Sequence, residues 1–290
     1  MKYKRIVVKI GTSVLAKKDG NIDGDVIDNI ASQVSCLLDK GIKVIIVSSG
    51  AIGAGIGMLG LKGTPNSLSE LQATASVGQG ELMHLYSSAF KKRNYIVGQI
   101  LLTQDDFDQR ARYLNIKYTF DALLSRRIVP IVNENDTVST EEIKCGDNDR
   151  LSSLVADLTG AGALIVLSDV DGFYGKDGSV LRTVGDITED IIKLAGKKCS
   201  PLTKGGMATK IEAARTAVDS GIDCFIANGG KADVLANVLE GKGIFTYFKA
   251  RPVKEKAKKR WIAYSSKVKG SIIIDDGAKK ALTARHKSLL

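Results

Sequence analysis

The run Ile6-Val-Val-Lys-Ile10 places a lysine inside an otherwise apolar, strand-like stretch. A buried ammonium is costly unless an anion meets it, and Gly11-Thr12-Ser13 directly after it lets a ligand come close to the backbone. Lys9 therefore reads as a phosphate contact; the plain alternative is a lysine on an edge strand, facing solvent. Lys43-Val-Ile-Ile-Val47 likewise runs into Ser48-Ser-Gly-Ala-Ile-Gly53, where free N–H groups and the Ser48 and Ser49 hydroxyls beside Gly50 and Ala51 could hold a carboxylate or phosphate, or simply pack tightly.

Two polar clusters follow. Asn133-Glu-Asn-Asp136 ends an apolar run, and Gly146 with Asp147, Asn148 and Asp149 precedes a helical pattern over 150–158. Some of these residues must be helix caps. Their amides and N–H groups could also grip a carboxylate, while Asp136 could pair with an ammonium group. Ser168 and Asp169 close another strand-like run at a usual place for nucleotide contacts. Lys204, Gly205, Gly206, Met207, Ala208, Thr209 and Lys210 then open a helix, and flexible glycines, a helix N-terminus and two lysines suit a phosphate.

Such groups need a scaffold that collects them. Short β-branched runs over Ile6–Ile10, Lys43–Val47, Val97–Leu101, Ile128–Val132, Ala163–Leu167, Asp223–Ala227 and Ile244–Phe248 alternate with longer helical patterns. Between the first two, Val26, Ile27, Ile30, Val34, Leu37 and Leu38 recur at helical spacing and Gly41 provides a stop. Apolar strands separated by helices predict an α/β fold with a mainly parallel central sheet sandwiched by helices, with ligands at the carboxyl ends of the strands. Gly55-Ile-Gly-Met-Leu-Gly60 matches the dinucleotide fingerprint formally, but it begins eight residues beyond its strand and Glu81, about 20 positions on, lies in helical sequence, so a dinucleotide site is rejected. No Walker A sequence is present.

Composition narrows the classes further. At 290 residues and 44% hydrophobic content the chain can bury a full core. The opening lacks a signal-peptide pattern and no apolar stretch approaches the roughly 20 residues a membrane helix needs, which predicts a cytoplasmic protein without a membrane partner. Cys36, Cys145, Cys199 and Cys224 form no Cys-x-x-Cys pair and are expected to be reduced and mostly buried, and His84 and His286 are too few for a His-centred metal site. From Lys249 to Leu290 the chain carries 13 Lys and Arg against 3 Asp and Glu, so the whole net charge of +10 resides there. A domain over 1–250 and a basic appendage over 251–290 are expected. Trp261 and Tyr264 could stack on RNA, but the tail holds no complete RNA motif, so nucleic acid is not the expected partner and RNA binding through the tail is the alternative function.

In the same order along nearly the whole chain, Lys9-Ile-Gly-Thr-Ser13, Ser48–Gly53, Asn133–Asp136, Gly146–Asp149, Ser168-Asp169 and Gly205–Lys210 resemble the glutamate 5-kinase branch of the amino-acid kinase family. The resemblance implies transfer of the ATP γ-phosphoryl group to the side-chain carboxylate of L-glutamate, with Mg²⁺ bridging the phosphates. On it, Lys9 and Lys210 would neutralise the transferring group and Asp149 would orient them. Ser49, Gly50, Ala51, Asp136, Asp147 and Asn148 would hold glutamate. Lys9, Gly11, Ser168, Asp169 and the segment Lys204–Lys210 would hold ATP. It also implies a place in proline synthesis, proline as a feedback inhibitor and a homo-oligomer, dimer or tetramer. Another small acid as substrate is the second alternative. Thr203-Lys204 departs from the family pattern before Gly-Gly-Met, and Trp261-Ile with Gly270–Asp275 and Asp276-Gly-Ala278 resembles only the opening of a PUA domain.

Overall fold

Strands that are apolar at every position need cover on both faces, and the helices between them supply it. A computed structural model of the protein describes residues 2–17, 21–139, 147–196, 206–252, 270 and 273–283. Along the chain run β1 (Arg5–Ile10), α1 (Thr12–Leu15), α2 (Gly24–Asp39), β2 (Lys43–Val47), α3 (Ala51–Leu59), α4 (Leu68–Lys91), β3 (Val97–Leu102), α5 (Gln104–Asp108), α6 (Arg110–Ser125) and β4 (Val129–Glu134). They are followed by α7 (Asp147–Thr159), β5 (Ala163–Ser168), β6 (Thr183–Val184), α8 (Glu189–Leu194), α9 (Met207–Asp219), β7 (Asp223–Asn228), α10 (Val234–Leu239), β8 (Phe245–Phe248) and α11 (Asp276–Thr283). The strands form one sheet in the order β3-β4-β2-β1-β5-β7-β8-β6. Neighbours are parallel except β7 and β8.

All seven expected strands are present, and the sheet is mainly parallel as expected. The last begins at Phe245 rather than Ile244 and runs antiparallel to β7. The two-residue β6 carries too short a pattern to be read beforehand. The second polar cluster does not precede its helix: Asp147, Asn148 and Asp149 form the first turn of α7.

Alternation along β1 decides which side of the sheet each side chain meets. Ile6, Val8 and Ile10 join Ile27, Ile30 and Val34 of α2 and Leu82, Tyr86 and Phe90 of α4 in one core. Val7 joins Leu151, Leu154 and Val155 of α7 and Ile211, Ala214 and Val218 of α9 in the other. Lys9 shares the parity of Val7 and so faces the α7/α9 side.

At the amino end of the sheet, Asp223 accepts hydrogen bonds from Lys2 Nζ (2.6 Å), Tyr3 Oη (2.6 Å), Tyr247 Oη (2.8 Å) and the Ala250 N–H (2.9 Å). Burial and the bond to this carboxylate push the Tyr247 hydroxyl up to about 12. The network ties both ends of residues 1–250 to one strand. Arg251 then bridges Asp219 and Asp186, while α11 buries no residue. Trp261, Tyr264, His286, Cys145 and Cys199 lie outside the described residues. Of the other two thiols Cys224 is buried, but Cys36 sits on the outer face of α2 and is exposed, against expectation. Among the described residues no helix is long and apolar enough to cross a membrane.

The rejected dinucleotide fingerprint is a helix-packing surface. Gly55 and Gly57 lie inside α3, and a Cβ on Gly55 would stand 1.9 Å from Thr74 O of α4. A Cβ on Gly78 would stand 1.9 Å from Ala51 O and 2.2 Å from Gly55 N. The two helices therefore touch backbone to backbone, which seats the start of α3 directly after Ser49-Gly50. Gly78→Ala should overpack this contact at a cost of about 1–3 kcal/mol. Thermal unfolding should read that as a drop of about 2–4 °C per kcal/mol; an unchanged midpoint would mean that the helices part without penalty.

Candidate active site

β1 lies between β2 and β5, so Lys9 is in the middle of the sheet rather than at an edge. It pairs with Val47 and Val166, and its side chain is 7% exposed. The compensating anion is Asp149, which is fully buried and has its Oδ1 2.6 Å from Lys9 Nζ. Lys210, on the first turn of α9, approaches Asp149 Oδ2 at 3.5 Å. Thr209 Oγ1 donates to the same oxygen at 2.6 Å. Asp149 and Lys210 lie in the first turns of α7 and α9, and it is the meeting of those two helix starts beside β1 that brings residues 9, 149 and 210 together.

Two ammonium groups share one carboxylate here. Burial lowers the Lys9 ammonium below its ordinary value; Asp149 opposes this, and the like charge of Lys210 reinforces it. Burial alone would raise Asp149, but attraction to Lys9 and Lys210 and the bonds from Lys9 and Thr209 outweigh it and hold the carboxyl below its usual range. The surplus positive charge suits an anion.

The neighbouring loops frame this cluster. Gly11 N–H donates to Leu167 O at 3.1 Å, and a Cβ at Gly11 would lie 3.2 Å from that oxygen and 3.7 Å from Lys9 Nζ, so the backbone crosses close to the ammonium. Ser168 Oγ and Ser13 Oγ donate to Asp169 Oδ1 at 3.0 and 3.2 Å. Burial would raise Asp169, but those bonds, together with its own backbone N–H and the nearby Lys210, hold it below the ordinary value. Gly206 caps α9, followed by Met207 and Ala208 in its first turn.

On the other side of Asp149, Gly50 caps α3 in the left-handed region at φ 95°, which favours glycine, and Ala51 and Ser49 are buried. Asn148 Nδ2 donates to Ser49 Oγ at 3.2 Å and to Asn133 Oδ1 at 3.0 Å. Asp136 lies in the turn after β4, at the same carboxyl end of the sheet. Asp147 opens α7, but its side chain, with Lys204 and Gly205, lies outside the described residues.

Thr209, expected in the nucleotide segment, also donates its hydroxyl to Asp149, a contact the sequence reading lacks. That reading also missed Gln79, which receives Asn133 Nδ2 on Oε1 at 2.7 Å. Nothing around Gln79 marks it, because it sits within a long amphipathic helix; only the fold sets it beside β4. Among the described residues no group of three or more His, Cys, Asp or Glu side chains could hold a metal ion.

The folded Asp149 carboxyl lies below its unfolded value, so its charge contributes stability above about pH 3.9, which is lost as pH falls through that value toward the lower folded one. Asp149→Asn leaves two buried ammonium groups without their counter-charge and should cost roughly 3–5 kcal/mol at neutral pH. Denaturant unfolding should show the gap to the unsubstituted protein narrowing below about pH 4; a gap constant with pH would assign the loss to packing.

The Amino acid kinase family model matches residues 4–228, from β1 to the end of β7. A glutamate 5-kinase of Thermoanaerobacter sp. (strain X514) is 42% identical over 99% of this chain and 78% of its own length. One from Carboxydothermus hydrogenoformans is 46% identical over 99% and 78%. Among solved structures, UMP kinase from Ureaplasma parvum superposes with a TM-score of 0.58 at 17% identity, covering 86% of this chain and 100% of its own, a likeness of fold. With the family model matching from residue 4 to residue 228 and these relatives aligned over 99% of its length, this chain belongs to the amino acid kinase family.

Proposed function

We propose that the chain is a glutamate 5-kinase, transferring the γ-phosphoryl group of ATP to the γ-carboxylate of L-glutamate. The observation that carries this reading is the pair of buried lysines on one carboxylate, a site one negative charge short, in a chain whose relatives are named for this reaction. The free γ-carboxylate has a pKa of about 4.3 and is already a nucleophile at neutral pH, so no general base is needed. One of its oxygens bonds to Pγ as the bond from Pγ to the β,γ-bridging oxygen breaks, ADP leaves, and no proton moves. What remains for the protein is in-line placement and charge stabilisation.

Lys9 and Lys210 neutralise the equatorial oxygens of the moving group, and Asp149 with Thr209 holds both ammonium groups in place. Gly11, Ser168, Asp169 and the segment Lys204–Lys210 hold the nucleotide at the carboxyl ends of β1 and β5 and the start of α9. Ser49, Gly50, Ala51, Asp136, Asp147 and Asn148 hold glutamate between α3 and α7, on the opposite side of Lys9. Mg²⁺, arriving with ATP, would supply charge neutralisation at the phosphates, in keeping with the lack, among the described residues, of any group of three or more His, Cys, Asp or Glu side chains to cage it. Residues 1–250 form the catalytic domain, with 251–290 as an appendage. A cytoplasmic, oligomeric enzyme inhibited by proline is the corresponding physiological reading.

Removing one lysine leaves Asp149 with a single counter-charge, so Lys9→Met should keep the fold and lower kcat by roughly 10²–10³-fold. Hydroxylamine trapping of the acyl phosphate, with Mg·ATP and glutamate, aspartate, N-acetylglutamate or no acid, tests reaction and substrate together. Signal with glutamate alone is expected. Signal with a different acid would move the substrate, and normal turnover by Lys9→Met would sink the role given to this lysine.

A further inference from the structure

Gln79 lies in the middle of α4, remote in sequence from every residue given a role in the reaction, yet its side chain ends a hydrogen-bonded relay that reaches Asn148. Asn133 Nδ2 donates to Gln79 Oε1 at 2.7 Å, and Asn133 Oδ1 accepts from Asn148 Nδ2 and from the Glu134 N–H, both at 3.0 Å. A backbone N–H only donates, so the Asn133 oxygen must face Glu134 and its nitrogen must face Gln79. Asn148 must then turn its own nitrogen to Asn133. Ser49 could not enforce this alone, because a hydroxyl serves as donor or acceptor.

The relay leaves one consequence at the substrate end. Asn148 Oδ1 is buried and has no hydrogen-bond partner among the described residues. A buried acceptor in that state is unfavourable until a donor reaches it. At a residue read as holding an amino acid, the matching donor is the substrate's α-ammonium group. Gln79 Nε2 is also buried, and among the described residues only the Gln79 oxygen is engaged.

We propose that Gln79 is a positioning residue: the Glu134 N–H sets which way the Asn133 amide faces, and Gln79 Oε1 anchors that amide in place, so that Asn133 holds the Asn148 amide with its oxygen free to accept and the site selects acids that carry a free α-amino group. This rests on the reading of the site as a glutamate kinase. It predicts that loss of the Gln79 acceptor impairs glutamate and leaves glutarate, the same diacid without the amino group, almost unaffected.

Gln79→Met keeps side-chain length and removes the acceptor; Gln79→Glu retains an acceptor for Asn133. With hydroxylamine trapping, the preference in kcat/KM for glutamate over glutarate should fall about tenfold in Gln79→Met, chiefly through KM for glutamate, while KM for ATP stays within about twofold; Gln79→Glu should recover most of the preference. If the methionine variant does not fold, Gln79→Ala makes the same cut with the same expected ratio. Equal losses with both acids, or an unchanged preference, would overturn the inference while leaving glutamate kinase activity in place. An unsubstituted protein that neither phosphorylates glutamate nor binds it by calorimetry would instead remove the reaction on which the inference stands.

Discussion

The structure depends on one buried carboxylate, Asp149, set between two ammonium groups. Taking three charges out of water costs several kcal/mol per ion, and apolar side chains of similar volume would often be as stable or more so. The cluster is therefore poorly explained as a stabilising device. It is well explained as a prepared site, because Asp149 compensates one lysine and leaves the charge of the other for a ligand to meet. Electrostatic groups fixed before the substrate arrives need no reorganisation during the reaction, which is where such a site gains its rate.

Asp223 provides the contrast at the other end of the sheet. It too is a buried aspartate, but four donors from the first, last and following segments satisfy it. A carboxylate so fully bonded has no remaining demand and acts as a fastener for the fold. The same residue type thus closes the domain at the strands' amino ends and opens a reaction site at their carboxyl ends. The difference lies in which helices the crossovers bring above each end.

The two glycine-rich segments beside β2 show how packing and chemistry are joined. Gly50 takes the left-handed backbone that turns the chain from the strand into α3, placing Ser49 beside Asn148. Gly55 and Gly78 then let α3 and α4 approach to backbone contact. That approach also carries Gln79 to Asn133, so the helix pair that secures the turn also secures the amides around it.

Sequence by itself determined the layers and most of the candidate site. A uniformly apolar strand such as β5, with its run Ala163–Leu167, can be stable only between two helical faces, and a lysine within β1 demanded an anion before any partner was known. Resemblance extended that to Asp149 and Lys210. What the sequence left open was decided by tertiary structure: Asp149 lies within its helix, Thr209 bonds the carboxylate, and Gln79 enters the relay from 54 positions away from Asn133. Local pattern records which residues bury and which turn. Partners contributed by separate crossovers meet only when the sheet orders its strands, and a glutamine on a helix has no local signature of the asparagine it will face.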